Sequence, residues 1–416
     1  MKYYTLTPEK MVFGGNCLGK INGKNVFIPY AIPGEKIEVE IVKSLNDYDL
    51  AKIHKIIEPS VHRVKPFCSL YEKCGGCNMQ HIDTEFQRKL RAEMLKSCFE
   101  REGIDIQDIE VIYGNEKNYR SRIQLTDGGF NEKESNNIIE LNNCPIATKQ
   151  INDYLESVPQ NIRPKGRVHF FGDDKIIESS TKNNSKFVIA EESKKIQFES
   201  SVKPKGTKNK IIKNKVKPRF SGTTFNENNN CVVKIKNHTI QFDVKGFFQS
   251  NLEVLEKTID AILWNMSGNN VLDMYSGCGT FSVFLAELFN KTILVEHNRD
   301  ALVHAEINLQ GKKHDTYGQS GKKWVETNAE FILKKEGPFD AVVIDPPRSG
   351  MENEVCQWLC KNKTNQIRSI SCNAATHARD AKKLIQSGYK LTKLFLLDFY
   401  PQTAHIESLA YFEYYD

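Results

Sequence analysis

Residues 270–281 read NVLDMYSGCGTF, and this stretch decides the fold. Its first half is short and apolar, as expected of a strand buried on both faces. Gly277 and Gly279 come next, followed by TFSVFLAELF, which reads as a helix. Glycines between a strand and a helix let the backbone approach a ligand closely at the carboxyl edge of a sheet. Working outward, TILVEHN is the next strand and RDALVHAEINLQ the next helix. FDAVVID, RSISCN and KLTKLFLLDF follow as strands, with helices such as ATHARDAKKLIQSG between them. This alternation predicts an α/β domain with a doubly wound sheet over residues 251–416.

The rest of the 416-residue chain has a different character. Residues 1–58 read as short strands separated by the turn signals NGK and PGE, which suits a small five-stranded barrel of the OB type. Residues 59–250 hold a group of cysteines and then FQRKLRAEMLKSCFEREG, whose apolar positions fall at helical spacing. Within 203–219 lie eight basic residues and no acid, which suits either a solvated loop or a phosphate-contacting arm. A net charge of +6 permits nucleic-acid binding. No apolar run approaches the roughly 20 residues that span a bilayer. The start, MKYYTLTPEK, lacks the apolar segment of a secretory signal, so a cytoplasmic protein without membrane association is expected. The cysteine count, 11, is odd, which points to reduced thiols kept for metal binding or catalysis rather than to a disulfide scaffold.

Three strand ends carry chemistry. Asp273 ends the first strand, and Glu296 ends the second, where it is placed to accept hydrogen bonds from ribose hydroxyls. This combination resembles the S-adenosylmethionine (SAM) methyltransferase fold. Asp345 ends a further strand in AVVIDPPRSG. Amino-group methyltransferases carry an aromatic after the two prolines of this loop; Arg348 stands there instead, which argues against methylation of an exocyclic amine. Cys372 ends the strand RSIS, and cysteine is the most nucleophilic common side chain near neutral pH. His405 and Glu407 lie two apart, so in a strand they would share a face, and a carboxylate there can act as a general base. A cysteine, a SAM pocket and a base are what methylation of uracil carbon 5 requires.

Cys68, Cys74 and Cys77 follow C-x5-C-x2-C, with Gly75 and Gly76 giving the loop freedom to wrap a metal. Cys144 is the best fourth ligand. Thiolate-only ligation suits zinc or an iron–sulfur cluster. The x5 spacing and the Cys144–Pro145 pair favour the cluster, although not the radical-generating kind.

Taken together, the chain resembles the RNA uracil-5 methyltransferases that make 5-methyluridine in 23S ribosomal and transfer RNA. The opening GGNCLGKINGKNVFIPYAIPGEKIEVEI is similar to the TRAM domain, an OB-like RNA-binding barrel. The cysteine pattern resembles that family's [4Fe-4S] ligands, KNYRSRIQL (117–125) its entry to the central domain, and GFFQSN (246–251) the block whose glutamine lies in the SAM and uracil pocket. The resemblance implies an N-terminal TRAM domain (1–58), a central α+β iron–sulfur domain (59–250) and a Rossmann-like methyltransferase domain (251–416). It implies SAM contacts at Gln249, Tyr275, Thr280, Glu296 and Asp345, Cys372 as nucleophile and Glu407 as base. Two departures stand out: Ala374 where the family usually has proline, and Thr280 where it often has asparagine.

The expected activity is SAM-dependent uracil-5 methylation of structured RNA, most plausibly 23S rRNA, through a covalent Cys–uracil adduct, with the protein acting as a monomer. Transfer RNA is the alternative substrate. An RNA 5-methylcytosine methyltransferase is disfavoured, because those enzymes usually carry a second cysteine where this chain has Asp345–Arg348. A non-catalytic RNA-binding iron–sulfur protein has only Ala374 in its favour.

Overall fold

The computed structural model describes residues 2–180, 185–192 and 229–415; the basic stretch 203–219 lies outside the described residues. An eight-stranded sheet organises the molecule. Its strands are β1 (Glu110–Ile112), β2 (Gly268–Met274), β3 (Phe289–Val295), β4 (His314–Tyr317), β5 (Ala341–Ile344), β6 (Gln366–Ser371), β7 (Lys390–Leu397) and β8 (Glu407–Glu413). Across the sheet the order is β4-β3-β2-β5-β6-β8-β7-β1. Strands β4 to β6 run parallel, and β8 is inserted antiparallel to both its neighbours, β6 and β7.

Alternation explains why these runs are apolar throughout. In β2, Leu272 and Met274 join one hydrophobic core and Val271 the other, so both faces are covered. The chain order reverses beside β2, between β3 and β5, which places a crevice outside the carboxyl ends of these strands.

Two elements from the stretch read as central belong spatially to this sheet. Strand β1 pairs in parallel with β7 at the far edge. The helix Thr84–Arg101, capped by Asp83 accepting from the Phe86 amide, packs on the helix Ala374–Gln386 and on β7. A three-residue strand carries no periodic signal, so only the folded chain reveals its partner.

The N-terminal residues form a six-stranded sheet rather than the five strands expected. The added strand, Lys10–Met11, is too short to leave a sequence pattern. Asn22 and Gly23 both have positive φ, +50° and +82°, as a two-residue hairpin turn between Cys17–Ile21 and Lys24–Ile28 requires. Arg122–Thr126, Arg167–Gly172 and Phe187–Glu191 make one small sheet, and Ile176–Ser179, Asn230–Ile235 and His238–Asp243 another. No described helix is long and apolar enough to cross a membrane.

The segment joining β7 to β8 is held by the N-terminal half of the chain. Asp398 is fully buried and pairs with Arg91 at 2.7 Å and Arg88 at 3.0 Å. Gln87 and Gln402 exchange bonds, with the Gln87 amide donating to Gln402 Oε1 and the Gln402 backbone N–H to Gln87 Oε1. Replacing Asp398 by alanine leaves the buried Arg91 charge without its partner. The expected loss is about 3–5 kcal/mol of unfolding free energy, read from urea titration.

Candidate active site

The carboxyl edge of the sheet opens into a cavity of about 1030 Å³. Each wall comes from a strand end. Tyr275 follows β2, Glu296 follows β3, Asp345 follows β5 and Cys372 follows β6. Glu407 begins β8, and because β8 is antiparallel its first residue lies at the same edge. Ser371 pairs with Ser408, so the register sets Cys372 opposite Glu407. Gln249 enters from the loop before the helix Leu252–Leu263, braced by Ser121, whose N–H and hydroxyl both donate to the Ser250 carbonyl.

The glycine loop is shaped as its sequence suggests. Gly277 and Gly279 have φ of +56° and +76°, and the space around Gly277 is open. Glu296 accepts from the amides of Gly277 (3.1 Å) and Asn298 (2.6 Å), which fixes its carboxylate beside the loop. Tyr275 also adopts positive φ, +66°, unusual for a bulky residue, and its hydroxyl meets Glu352 Oε2 at 3.3 Å.

The electrostatics are one-sided. Burial, reinforced by Glu296, pushes Asp345 up to about 7. Burial and the nearby Asp345 push Glu407 up to about 8, while Arg348 and a bond from Tyr400 pull it down. Burial raises the Cys372 thiol, Glu407 and Asp345 add to that, and Arg348 opposes it. Asp273, wholly buried behind the loop and bonded by Ser282, is likewise raised to about 7. Two buried polar atoms of the cavity wall, Gln249 Oε1 and Glu407 Oε2, have no hydrogen-bond partner. A cation with polar edges would meet these groups, and the sulfonium and ribose of SAM have that character.

The loops carrying Asp345 and Cys372 grip one another. Asn373 caps the helix Ala374–Gln386 by accepting from the Ala375 and Thr376 amides, and its own side-chain amide donates to the Arg348 carbonyl. Ala374 is the first helical residue, where proline and alanine both fit, so the cap forms without proline.

The cavity therefore gathers Gln249, Tyr275, Glu296, Asp345, Cys372 and Glu407. Thr280 does not line it; its hydroxyl faces Cys278 Sγ at 3.4 Å. His405 and Glu407 do not share a strand face. Strand β8 starts at Glu407, and His405 lies in a loop turned by Thr403, whose N–H bonds the Tyr400 carbonyl; it lines the same cavity from that loop. Sequence reasoning missed Arg120, Phe247 and Tyr400, which also line the cavity. Arg120 and Phe247 were visible only as members of KNYRSRIQL and GFFQSN.

The cysteines stand close to this cavity, which Gly75 and Gly76 of their loop also line. All four thiols are free and partly buried. Burial raises Cys74, Cys77 and Cys144, and neighbouring thiols add to the rise: Cys68 at Cys74, Cys144 and Cys74 at Cys77, and Cys74 at Cys144. Arg120 opposes the rise at all three, as do the amides of Ile146 and Ala147 at Cys144. Among the described residues, no group of three or more His, Cys, Asp or Glu is gathered as ligands of a metal ion.

A doubly wound sheet with a glycine loop after β2, an acid after β3 and an antiparallel β8 inserted beside β6 suits an α/β methyltransferase. Comparisons agree. The tRNA (Uracil-5-)-methyltransferase family matches residues 322–414. An uncharacterized RNA methyltransferase of Treponema denticola is 36% identical, over 99% of each chain. The 23S rRNA (uracil(1939)-C(5))-methyltransferase RlmD of Shewanella woodyi is 30% identical, over 96% of this chain and 93% of its own. The crystal structure of a Pyrococcus abyssi tRNA (uracil-54, C5)-methyltransferase, in complex with S-adenosyl-L-homocysteine, superposes with a TM-score of 0.69 at 20% identity, over 98% of this chain and 100% of that one. The chain belongs to the RNA uracil-5 methyltransferase family.

The Asn373 cap gives a test of the site's framework. Asn373→Ala removes the one acceptor of two helix-terminal amides and one tie to the Arg348 loop. It is expected to cost about 1 kcal/mol in thermal or chemical unfolding.

Proposed function

We propose that this enzyme methylates carbon 5 of a uridine in 23S rRNA, with Cys372 as nucleophile and Glu407 as base. The observation that carries the reading is the register of β6 and β8, which opposes these two residues in one cavity. The RlmD relatives favour ribosomal RNA. Transfer RNA is the second reading, favoured by the description of the matching family.

Bound SAM supplies an electrophilic methyl group. Glu296, fixed by two amides, suits the ribose hydroxyls, while Asp345, Tyr275 and Gln249 line the remaining wall. The Cys372 thiolate adds to uracil carbon 6, and the ring's electrons shift to make carbon 5 a nucleophile toward the methyl. Glu407 then removes the carbon 5 proton, the carbon 5–carbon 6 double bond reforms, and Cys372 leaves as thiolate. Arg348 opposes the rise of both groups and so favours the thiolate and carboxylate that these steps need. Flipping the uridine out of its stack gives the thiol access to the ring.

We read residues 1–58 as the TRAM domain, 59–250 as the iron–sulfur domain, whose helix Thr84–Arg101 and strand β1 pack on the catalytic sheet, and 251–416 as the catalytic domain of a cytoplasmic monomer. The six-stranded N-terminal sheet would hold the RNA backbone. Cys68, Cys74, Cys77 and Cys144 would hold a [4Fe-4S] cluster. Four free, partly buried thiols that influence one another electrostatically, with Arg120 and two backbone amides favouring the charged form, support this reading.

Cys372→Ala is expected to abolish 5-methyluridine formation from tritiated SAM. Glu407→Gln is expected to trap a covalent RNA adduct on a denaturing gel; turnover without an adduct would remove Glu407 from the base role. Glu407 loses its proton as pH rises through about 8, and only the carboxylate is a base. Turnover is therefore expected to rise with pH over that range and to be lost on acidification. Anaerobically purified protein is expected to hold iron and acid-labile sulfide; one zinc and no iron per chain would overturn the cluster assignment.

A further inference from the structure

Behind Cys372 and Glu407 lies a buried polar group that the chemistry above does not use. His377, in the helix that follows the nucleophile, is 2% exposed. Its Nδ1 lies 2.7 Å from Ser408 Oγ, and Ser408 Oγ donates to the Ser371 carbonyl at 3.4 Å. Ser371 immediately precedes Cys372, and Ser408 immediately follows Glu407. Ser371 and Ser408 are the last registered pair before the nucleophile and the base.

The Nδ1–Oγ contact is the strong one of the two, since 3.4 Å is long for an O–H···O bond, and its donor depends on the imidazole tautomer. The imidazole is neutral in this arrangement, in keeping with burial, which lowers His377 to about 4. The Phe99 ring stands edge-on to it at 5.6 Å and fixes its plane. Nε2 is buried with no hydrogen-bond partner among the described residues, so the Ser408 hydroxyl is the side chain's one polar contact there. A purely apolar filler would suit that space without the unpaired nitrogen.

We propose that His377 is a positioning residue, which through Ser408 locks the helix behind Cys372 to the strand that begins with Glu407 and so sets the nucleophile-to-base distance. The inference rests on the assigned roles of Cys372 and Glu407. The lock bears on two chemical steps unequally. Cys372 can still reach carbon 6 if the strands shift slightly. Proton removal from carbon 5 needs nucleophile and base held together on one ring, so it suffers more.

The test compares His377→Leu, His377→Asn, His377→Gln and Ser408→Ala in the full-length enzyme. Asparagine can place a polar atom where Nδ1 stands, glutamine reaches too far, and leucine has none. Leu, Gln and Ser408→Ala are expected to lower kcat about tenfold with KM for RNA within twofold, and to raise the fraction of covalent RNA adduct at steady state. Asn is expected to recover most of kcat and to return the adduct fraction to the wild-type level. The double variant His377→Leu/Ser408→Ala should be no worse than either single one. Wild-type kcat in His377→Leu, a loss matched by the unfolded fraction in circular dichroism, or failure of Asn to rescue would each overturn the proposal. Cys372→Ala, run in parallel, separates this outcome from failure of the catalytic assignment. If it keeps activity the roles are wrong, and if it is inactive while His377→Leu is normal only the lock is wrong.

Discussion

The active site depends on one clamp. The segment between β7 and β8 carries Tyr400 and delivers Glu407, yet most of it has no strand partner of its own. The N-terminal half of the chain holds it. Arg91 and Arg88 take Asp398, Gln87 exchanges amide bonds with Gln402, Tyr119 donates to the Pro401 carbonyl, and Asn78 accepts from the Ala404 amide. A buried ion pair gains little net stability, because desolvation offsets most of its Coulomb attraction. Its directional bonds instead select one conformation of this loop. Asn78 directly follows Cys77, so the cysteine loop and the segment leading to Glu407 are one hydrogen-bonded unit. That arrangement gives the cysteines a structural consequence beyond their own loop, since whatever orders Cys77 also orders the approach to Glu407.

A second constraint is electrostatic. Asp273, Asp345 and Glu407 are all raised well above the ordinary carboxylate range, chiefly by burial. Burying carboxyl groups near one another works against folding unless they are protonated or a cation joins them. Arg348 is the cation that opposes the rise of both Cys372 and Glu407. An aromatic residue in its place could stack on a base but could not favour a thiolate. The identity of that one side chain therefore separates chemistry that begins with a charged nucleophile from chemistry on a neutral amine.

The sequence made the catalytic sheet legible because its strands are buried on both faces and read as apolar runs. Residues that end such runs were correctly placed at one edge, which is how Glu296, Asp345 and Cys372 could be named together. Register was not legible. Nothing local in RSISCN or HIESLAYF states that Ser371 pairs with Ser408; that follows from a tertiary contact across 37 residues. The same limit explains β1, whose three residues join a strand nearly 300 positions away, and His405, which sits two residues before Glu407 but outside its strand. Thr280 follows the glycine loop in sequence, yet its side chain turns toward Cys278. The clamp was invisible for another reason. Gln87, Arg91 and Asp398 look like ordinary surface polar residues until folding buries them.

The antiparallel insertion of β8 gives the chemistry its geometry. In a parallel sheet every strand presents its last residue to the ligand edge, and each such residue leads directly into a loop. A base supplied that way would stand on a flexible connection. Strand β8 instead offers its first residue, already paired with Leu397 of β7, while the ladder to β6 begins at the next residue, Ser408. Adjacent strands lie about 4.7–4.9 Å apart. Side chains from two neighbouring strands at one level can therefore flank a single planar ring. The proposed reaction asks for this, because in it the thiolate bonds carbon 6 while the carboxylate reaches the hydrogen on carbon 5, the next atom of the ring. A one-residue slip between β6 and β8 would turn Glu407 to the opposite face of the sheet. The Ser371–Ser408 pair, with His377 behind it, stands where such a slip would begin.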